Sequence, residues 1–401
     1  MGGTVSDGEW SREELAFAYL SRVVEGLSRA LSEFLERGRE APEIAEAIRG
    51  RKRWLGDLLG QTATRYDWDR PRRDLEIARA CGARLIYPGH EEWPAEQLEH
   101  AFGFARSGMS PHARTYQADA VPPHALWVRG GNLRHLCAQA VAVVGTRAQS
   151  RYGAEATACL VRGLVQHQWV IVSGGALGID AEAHRAALEA GGSTVVVSAC
   201  GIDRAYPARH ARLFDAVARQ GAVVTEYPPE VTPQRHRFLT RNRLVAALAR
   251  GTVVMEAAWR SGALNTLSWA EGLGRIAMAV PGPITGAGSL GCHQRIKEGR
   301  AQLVTGSDDV RGLLGAVGSL DVTEQYELCY APDAIQGLSR NELRVFDALP
   351  VAGAADTQTI ARGAGFSVPL TVHLLVELAA KNLVSLEGDQ WLRVEGGAKG
   401  E

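Results

Sequence analysis

The chain has 401 residues and a formal net charge of only −1, so no global basic excess points to a polyanion partner. Any such site must be a local patch. None of its six cysteines (Cys81, Cys137, Cys159, Cys200, Cys292 and Cys329) forms a CxxC pair, which argues against a zinc site or disulfide framework and fits a reducing cytosol. No apolar run approaches the length of a membrane span, and the start, Met1 to Asp7, has neither a basic region nor an apolar core. A cytoplasmic protein is expected, with no membrane partner. Walker A, HExxH and GxSxG motifs are absent, as is any closely spaced carboxylate–histidine arrangement. With 46% hydrophobic and 22% charged residues, the rest is the composition of an ordinary globular protein of two or three domains.

The chain is organised around Val141 to Asp180. A short β-branched run, Val141 to Val144, ends in Gly145-Thr146-Arg147. A second run, Trp169 to Val172, ends in Ser173-Gly174-Gly175-Ala176-Leu177-Gly178-Ile179-Asp180. Each reads as a strand buried on both faces that turns through a glycine loop into a helix, with Asp180 expected to cap the helix from Ala181. Glycine lets a backbone approach a ligand closely, and free N–H groups at a helix start favour an anion. The first glycine of a dinucleotide fingerprint is missing, and no acidic residue ends the next strand to hold a ribose. Arg147, directly after a buried strand, lies where ligands of open α/β sheets bind, and suits an anion.

Strand patterns recur at Thr194–Ser198, Ala222–Thr225, Thr252–Met255 and Ile276–Val280, with helical segments between most of them. Gly191, Gly221 and Gly251 suit helix ends. The alternation predicts an α/β fold with a doubly wound, mostly parallel sheet. Arg84–Pro88 and Pro122–Gly131 read as further strands. Ser11 to about Leu59 is helical, with a capping-box pattern at Ser11 and Glu14. The basic cluster Arg49, Arg51, Lys52 and Arg53 reads as a solvated helix end.

The loop after Ala222–Thr225 leads to Arg235, Arg237, Arg241 and Arg243 around Phe238. Guanidinium groups grip phosphates and an aromatic face stacks on an unpaired base, so this cluster suits a single-stranded nucleic acid. The bland alternative is that Phe238 is core and the arginines pair with Glu226, Glu256 or Asp203. His184, four residues after Asp180, reads as a surface or capping histidine. Patterning fades between Leu314 and Gln336, as in a linker. Three helical segments beginning near Ser339, then two strands around Gly388-Asp389, describe a winged helix. Phe366–Ala380, its would-be recognition helix, has no lysine or arginine, so a protein-contact or structural role is expected.

Taken together, Val143-Val144-Gly145-Thr146-Arg147, Ser173-Gly174-Gly175 with Gly178-Ile179-Asp180, Gly201-Ile202-Asp203 with Tyr206-Pro207, Phe238 with Arg241-Asn242-Arg243, Ser261-Gly262, Glu271 and Ala279-Val280-Pro281-Gly282 resemble the DNA-processing protein A (Smf) family. The resemblance implies an N-terminal helical (SAM-like) module at 1–82, an extended Rossmann-like domain at 83–313, a linker at 314–337 and a winged helix at 338–401. It also implies a non-catalytic protein without cofactor or metal. Such a protein binds single-stranded DNA, dimerises through the Rossmann-like domain and loads RecA recombinase in transformation or recombination. Carried over by position, the DNA site would comprise Gly145, Thr146, Arg147, Ser173, Gly174, Gly175, Gly178, Arg209, Arg235, Phe238, Arg241, Asn242, Arg243, Ser261 and Gly262. The rival reading is a nucleotide-binding or nucleotide-cleaving enzyme on a similar fold, although the PGGxGTxxE loop of nucleoside-monophosphate phosphoribohydrolases is missing. A third is a purely structural dimer, which predicts no DNA affinity.

Overall fold

The computed structural model describes residues 10–109, 119–315, 335 and 337–394. The chain start, most of the expected linker and the last residues of the expected winged helix lie outside them. The chain divides into two compact units, Met1–Leu320 and Asp321–Glu401.

The first unit opens with five helices, α1 (Arg12–Val23), α2 (Arg29–Glu36), α3 (Ala41–Arg49), α4 (Asp57–Gln61) and α5 (Pro71–Ala80). Ser11 caps α1, its hydroxyl accepting from the Glu14 amide at 3.0 Å. There follow β1 (Ala83–Ile86), α6 (Ala95–Ser107), β2 (Leu126–Gly130), α7 (Leu133–Ala138), β3 (Ala140–Val144), α8 (Arg151–Gln166), β4 (Val170–Ser173), α9 (Ile179–Glu189) and β5 (Thr194–Val197). After these come α10 (Ala211–Gln220), β6 (Ala222–Thr225), α11 (Arg235–Ala247), β7 (Gly251–Val254), α12 (Gly262–Gly272), β8 (Ile276–Ala279), α13 (Leu290–Lys297), β9 (Gln302–Leu303) and α14 (Ser307–Leu314). All nine strands form one sheet in the order β1-β2-β6-β5-β4-β3-β7-β8-β9.

From β6 to β9 the pairing is parallel, because each connection passes through a helix; only β2 on β6 and β1 on β2 are antiparallel. The alternation of β3 shows why its sequence is so apolar. Ala140, Ala142 and Val144 pack on one face against α11 and α12, while Val141 and Val143 pack on the other against α8 and α9. The N-terminal helices share a core with β1, β2 and α10 through Leu20, Ile44, Leu75, Trp127, Phe214 and Val217. A buried bidentate ion pair, Arg22 to Asp74 at 2.8 and 2.7 Å, fixes α1 on α5, and Arg22 also donates to the Pro229 carbonyl beyond β6. Half of the basic cluster is engaged: Arg49 pairs with Asp69 at 2.8 Å and lies over Tyr19, and Arg51 lies over Tyr66, while Lys52 and Arg53 are exposed as expected.

The second unit contains α15 (Arg340–Asp347), β10 (Ala354–Asp356), α16 (Thr357–Ala364), α17 (Val368–Ala380), β11 (Val384–Glu387) and β12 (Gln390–Arg393), with sheet order β10-β12-β11. Ser339 and Glu342 form a full capping box on α15. Val345, Leu349, Ile360, Leu375, Leu378 and Trp391 make its core. Among the described residues no single helix is long and apolar enough to cross a membrane.

Candidate nucleic-acid interface

The carboxyl ends of β3 and β4, the start of α11 and the start of α12 enclose a cleft of about 350 Å³. Its lining includes Gly145, Arg147, Gly174, Asp180, Phe238, Arg241, Asn242, Ser261 and Gly262. The two glycine loops are locked together. The Ile179 amide donates to the Thr146 carbonyl at 3.1 Å, and Gly178, at φ +79°, has no room for a side chain: a Cβ would overlap the Thr146 carbonyl oxygen and lie 2.7 Å from the Arg147 carbonyl carbon. The Thr146 amide donates to the Glu256 carbonyl at 2.7 Å, which ties the β3 loop to the β7 loop as well.

Asp180 does not cap its helix as the sequence suggested. Gly178 holds the cap position, and the Asp180 carboxylate reaches back to accept from the Ala176 amide at 3.3 Å. Burial pushes this carboxyl above its usual range, against the pull of the Arg241 guanidinium and the amides of Ala176, Gly145 and Gly174. Arg241 is itself buried and shifted down by desolvation; it donates to the carbonyls of Gly174, at 2.6 Å, and Val197. A Cβ at Gly174 would come within 2.6–2.8 Å of the guanidinium and force Arg241 to shift. Asn242 accepts from Arg241 and donates to Asn265 at 3.1 Å. Arg241 and Asn242 are therefore the floor of the cleft.

The mouth is different. Phe238, half-buried, is the hub: Arg147 lies over its ring at 5.8 Å, Arg241 at 6.0 Å, and the exposed Tyr206 ring packs against it at 5.3 Å between centroids. Arg147, which lines the cleft, and Arg209 and Arg235, which lie outside its lining, are exposed and make no ion pair with a described residue. Arg235 is also the first residue of α11, whose first turn carries no acidic side chain. A cation at the positive end of a helix is disfavoured by roughly 0.3–1 kcal/mol unless an anion sits nearby.

Seven expected residues fall outside the cleft lining: Thr146, Ser173, Gly175, Gly178, Arg209, Arg235 and Arg243. Arg243 is fully buried and bidentate to Glu226, both bonds at 2.6 Å, with a third bond to the Val121 carbonyl. Arg237, its neighbour on α11, is buried against Glu25. Arg243 follows the bland reading by pairing with Glu226 after β6, whereas Arg237 pairs with Glu25, a carboxylate of the α1–α2 connection outside that reading. Ser173 is buried and donates to the Val143 carbonyl at 2.6 Å, so its hydroxyl serves the sheet. Gly175 packs under Phe214, its carbonyl accepting from His210 Nδ1 at 3.0 Å. Arg209 sits in the turn before α10, beyond the cleft lining, on the same connection as Tyr206. His184, expected at the surface, is fully buried, its Nδ1 2.7 Å from the Thr194 hydroxyl. Tyr206 and Asn265 were not anticipated as site residues. The signal for Tyr206 was its motif with Pro207 close to Arg209; for Asn265 there was none.

Residues 84–315 match the family described as DNA recombination-mediator protein A. A DNA processing protein DprA of Mycobacterium tuberculosis is 43% identical over 385 residues, covering 96% of this chain and 95% of that one. The protein Smf of Escherichia coli is 38% identical over 265 residues, covering 64% and 68% respectively. The crystal structure of DNA processing protein A from Streptococcus pneumoniae superimposes with a TM-score of 0.60 at 30% identity, covering 77% of this chain and all of that one. A sheet of this order, its paired glycine loops and the sequence shared along nearly the whole length of a relative have one common explanation: the chain belongs to the DNA recombination-mediator protein A family.

Proposed function

We propose that this chain binds single-stranded DNA in the cleft above β3 and β4 and presents it to a RecA recombinase, acting in the cytoplasm as a homodimer joined through the Rossmann-like domain. The observation that carries the reading is the Arg147 guanidinium, in no ion pair with a described residue, over the half-buried Phe238 ring at a cleft walled by glycine loops. A strand laid there would stack a base on Phe238 or Tyr206 and place its phosphates among Arg147, Arg235 and Arg209. Backbone amides at Gly145 and Gly174 are committed to Asp180, so the phosphates rely on the exposed guanidinium groups.

A binding rather than catalytic role is supported by the state of the same carboxylate. Asp180, the acidic residue lining the cleft, is buried, accepts from backbone amides of both glycine loops and lies beside the Arg241 charge, so it serves to hold those loops together. Among the described residues no group of three or more His, Cys, Asp or Glu could hold a metal ion.

The test is fluorescence anisotropy of a labelled single-stranded oligonucleotide across a salt series, with blunt duplex as competitor. Tight binding that weakens steeply with salt, about 0.7 log units per phosphate contact for each tenfold rise in salt, and poor competition by duplex are expected. Equal affinity for duplex at one salt concentration would sink the proposal.

A further inference from the structure

The connection from β7 to α12 ends in Ser261 and Gly262, which line the cleft. Just before them stand Trp259, 58% exposed, and Arg260, exposed and in no ion pair with a described residue. A single exposed apolar side chain is ordinary. An exposed indole next to a guanidinium in no ion pair with a described residue, close in sequence to an anion-suited cleft, offers the same two kinds of side chain as Phe238 and Arg147.

The sheet order sets the spacing. The connections following β5, β4, β3 and β7 stand side by side along the carboxyl edge and carry Tyr206, Gly174, Arg147 and Trp259 in that order. Neighbouring strands are about 4.8 Å apart, so the row from Tyr206 to Trp259 covers three spacings, roughly 14 Å. Stacked nucleotides repeat about every 3.4 Å along one strand, so this row is about four nucleotides long. Phe238 serves the β5-to-β3 part of it. Trp259 lies two residues from Ser261, hence within about 7 Å of the cleft wall.

We propose that Trp259 and Arg260 form a further nucleotide subsite, in which the indole stacks on a base leaving the Phe238 cleft and the guanidinium holds the adjoining phosphate. The subsite rests on the single-strand reading of the cleft. It is indifferent to base identity, because every base offers a π face, and it lengthens the site toward β7.

The test measures anisotropy of the full-length chain with thymidylate oligomers of about 4 and about 16 nucleotides, the range of single-strand site sizes. Wild type is compared with Trp259→Ala, Trp259→Phe, Arg260→Ala and Arg147→Ala, each shown by thermal melting to be folded. Trp259→Ala should weaken the long oligomer roughly 5- to 150-fold while Trp259→Phe keeps most of the affinity. Arg260→Ala should lower the slope of log affinity against log salt by about 0.7. The short oligomer, filling the Phe238 cleft first, should lose less in both. If Trp259→Ala binds the long oligomer as wild type does while Arg147→Ala fails, the subsite is wrong and the cleft reading stands. If Arg147→Ala also binds normally, the cleft reading itself falls. Equal losses in Trp259→Ala and Trp259→Phe would rule out stacking.

Discussion

Replacing Arg243 by alanine separates the arginines that build this protein from those that face its ligand. The Arg243 side chain is 1% exposed and Glu226 14%, and the two share a bidentate pair at 2.6 Å. Arg243 Nε also donates to the Val121 carbonyl at 3.1 Å, and the guanidinium lies 5.8 Å from the Phe102 ring centre. Truncation strands the Glu226 carboxylate and the Val121 carbonyl in a nearly dry pocket. Breaking one side of such a pair costs about 3–5 kcal/mol. At roughly 2–4 °C per kcal/mol for a domain of this size class, the melting temperature should fall by about 6–20 °C. Glu226→Ala should fall comparably, and Arg243→Met combined with Glu226→Leu should recover much of the loss, because an apolar pair leaves no charge behind. Thermal denaturation by circular dichroism reads the first effect. Anisotropy with single-stranded DNA, well below the transition, reads the second and should show near-normal affinity. An Arg243→Ala protein that melts within about 2 °C of wild type but no longer binds DNA would refute the assignment of Arg243 to the scaffold.

Other outcomes follow from the same geometry. His184 is buried with its Nδ1 on Thr194, whose hydroxyl donates to the Ile171 carbonyl at 2.7 Å, so Nδ1 is the donor and Nε2 has no partner. Burial lowers its pKa to about 3 from the usual 6.5, so the unfolded chain takes up the proton first as pH falls. Stability is lost between pH 6.5 and 3, by about 2 kcal/mol at pH 5, and His184→Leu should flatten urea-melt stability against pH in that window by this amount. Gly178→Ala should lower stability by at least 1–3 kcal/mol and weaken DNA binding, because the strain lands on the Thr146–Arg147 turn; a variant with unchanged melting and binding would contradict the loop geometry. Removing residues 338–401 should leave most single-strand affinity intact, since those residues fall in the separate unit Asp321–Glu401 and α17 carries no lysine or arginine. Loss of binding in a folded truncation would make the second unit a DNA reader.

The sheet was legible because β-branched runs such as Val141–Val144 and Thr194–Val197 are apolar on both faces, and only a covered parallel strand tolerates that. Ends of the six strands expected from Val141 onward lie within a residue of their observed positions, whereas Arg84–Pro88 overruns β1 by two residues and Pro122–Gly131 starts four residues before β2; Arg147 stands out by following a strand directly. The capping box at Ser339 and the three helices and hairpin of the second unit were likewise visible in local chemistry. What could not be read was which arginines of α11 face the ligand. Residues 237, 241 and 243 differ in nothing local. Their fates depend on Glu25, Asp180 and Glu226, which reach them only in the folded chain. The same holds for Ser173 and His184, polar residues that the sheet takes inside with a hydrogen bond each. Gly251, expected to end a helix, instead begins β7, because the helix had already closed at Leu248.

Exposed guanidinium groups carry the proposed phosphate contacts, and the most direct measurement is anisotropy of one labelled single-stranded oligonucleotide with wild type, Arg147→Ala and Arg235→Ala, with free mononucleotide as competitor. Both side chains are exposed and in no ion pair with a described residue, so both variants should melt within about 0.5 kcal/mol of wild type. The prediction is that wild type binds, both variants lose most of the affinity, and the mononucleotide competes poorly. Undiminished binding by the two variants, or efficient displacement by the mononucleotide, would contradict it and make the cleft a small-ligand site.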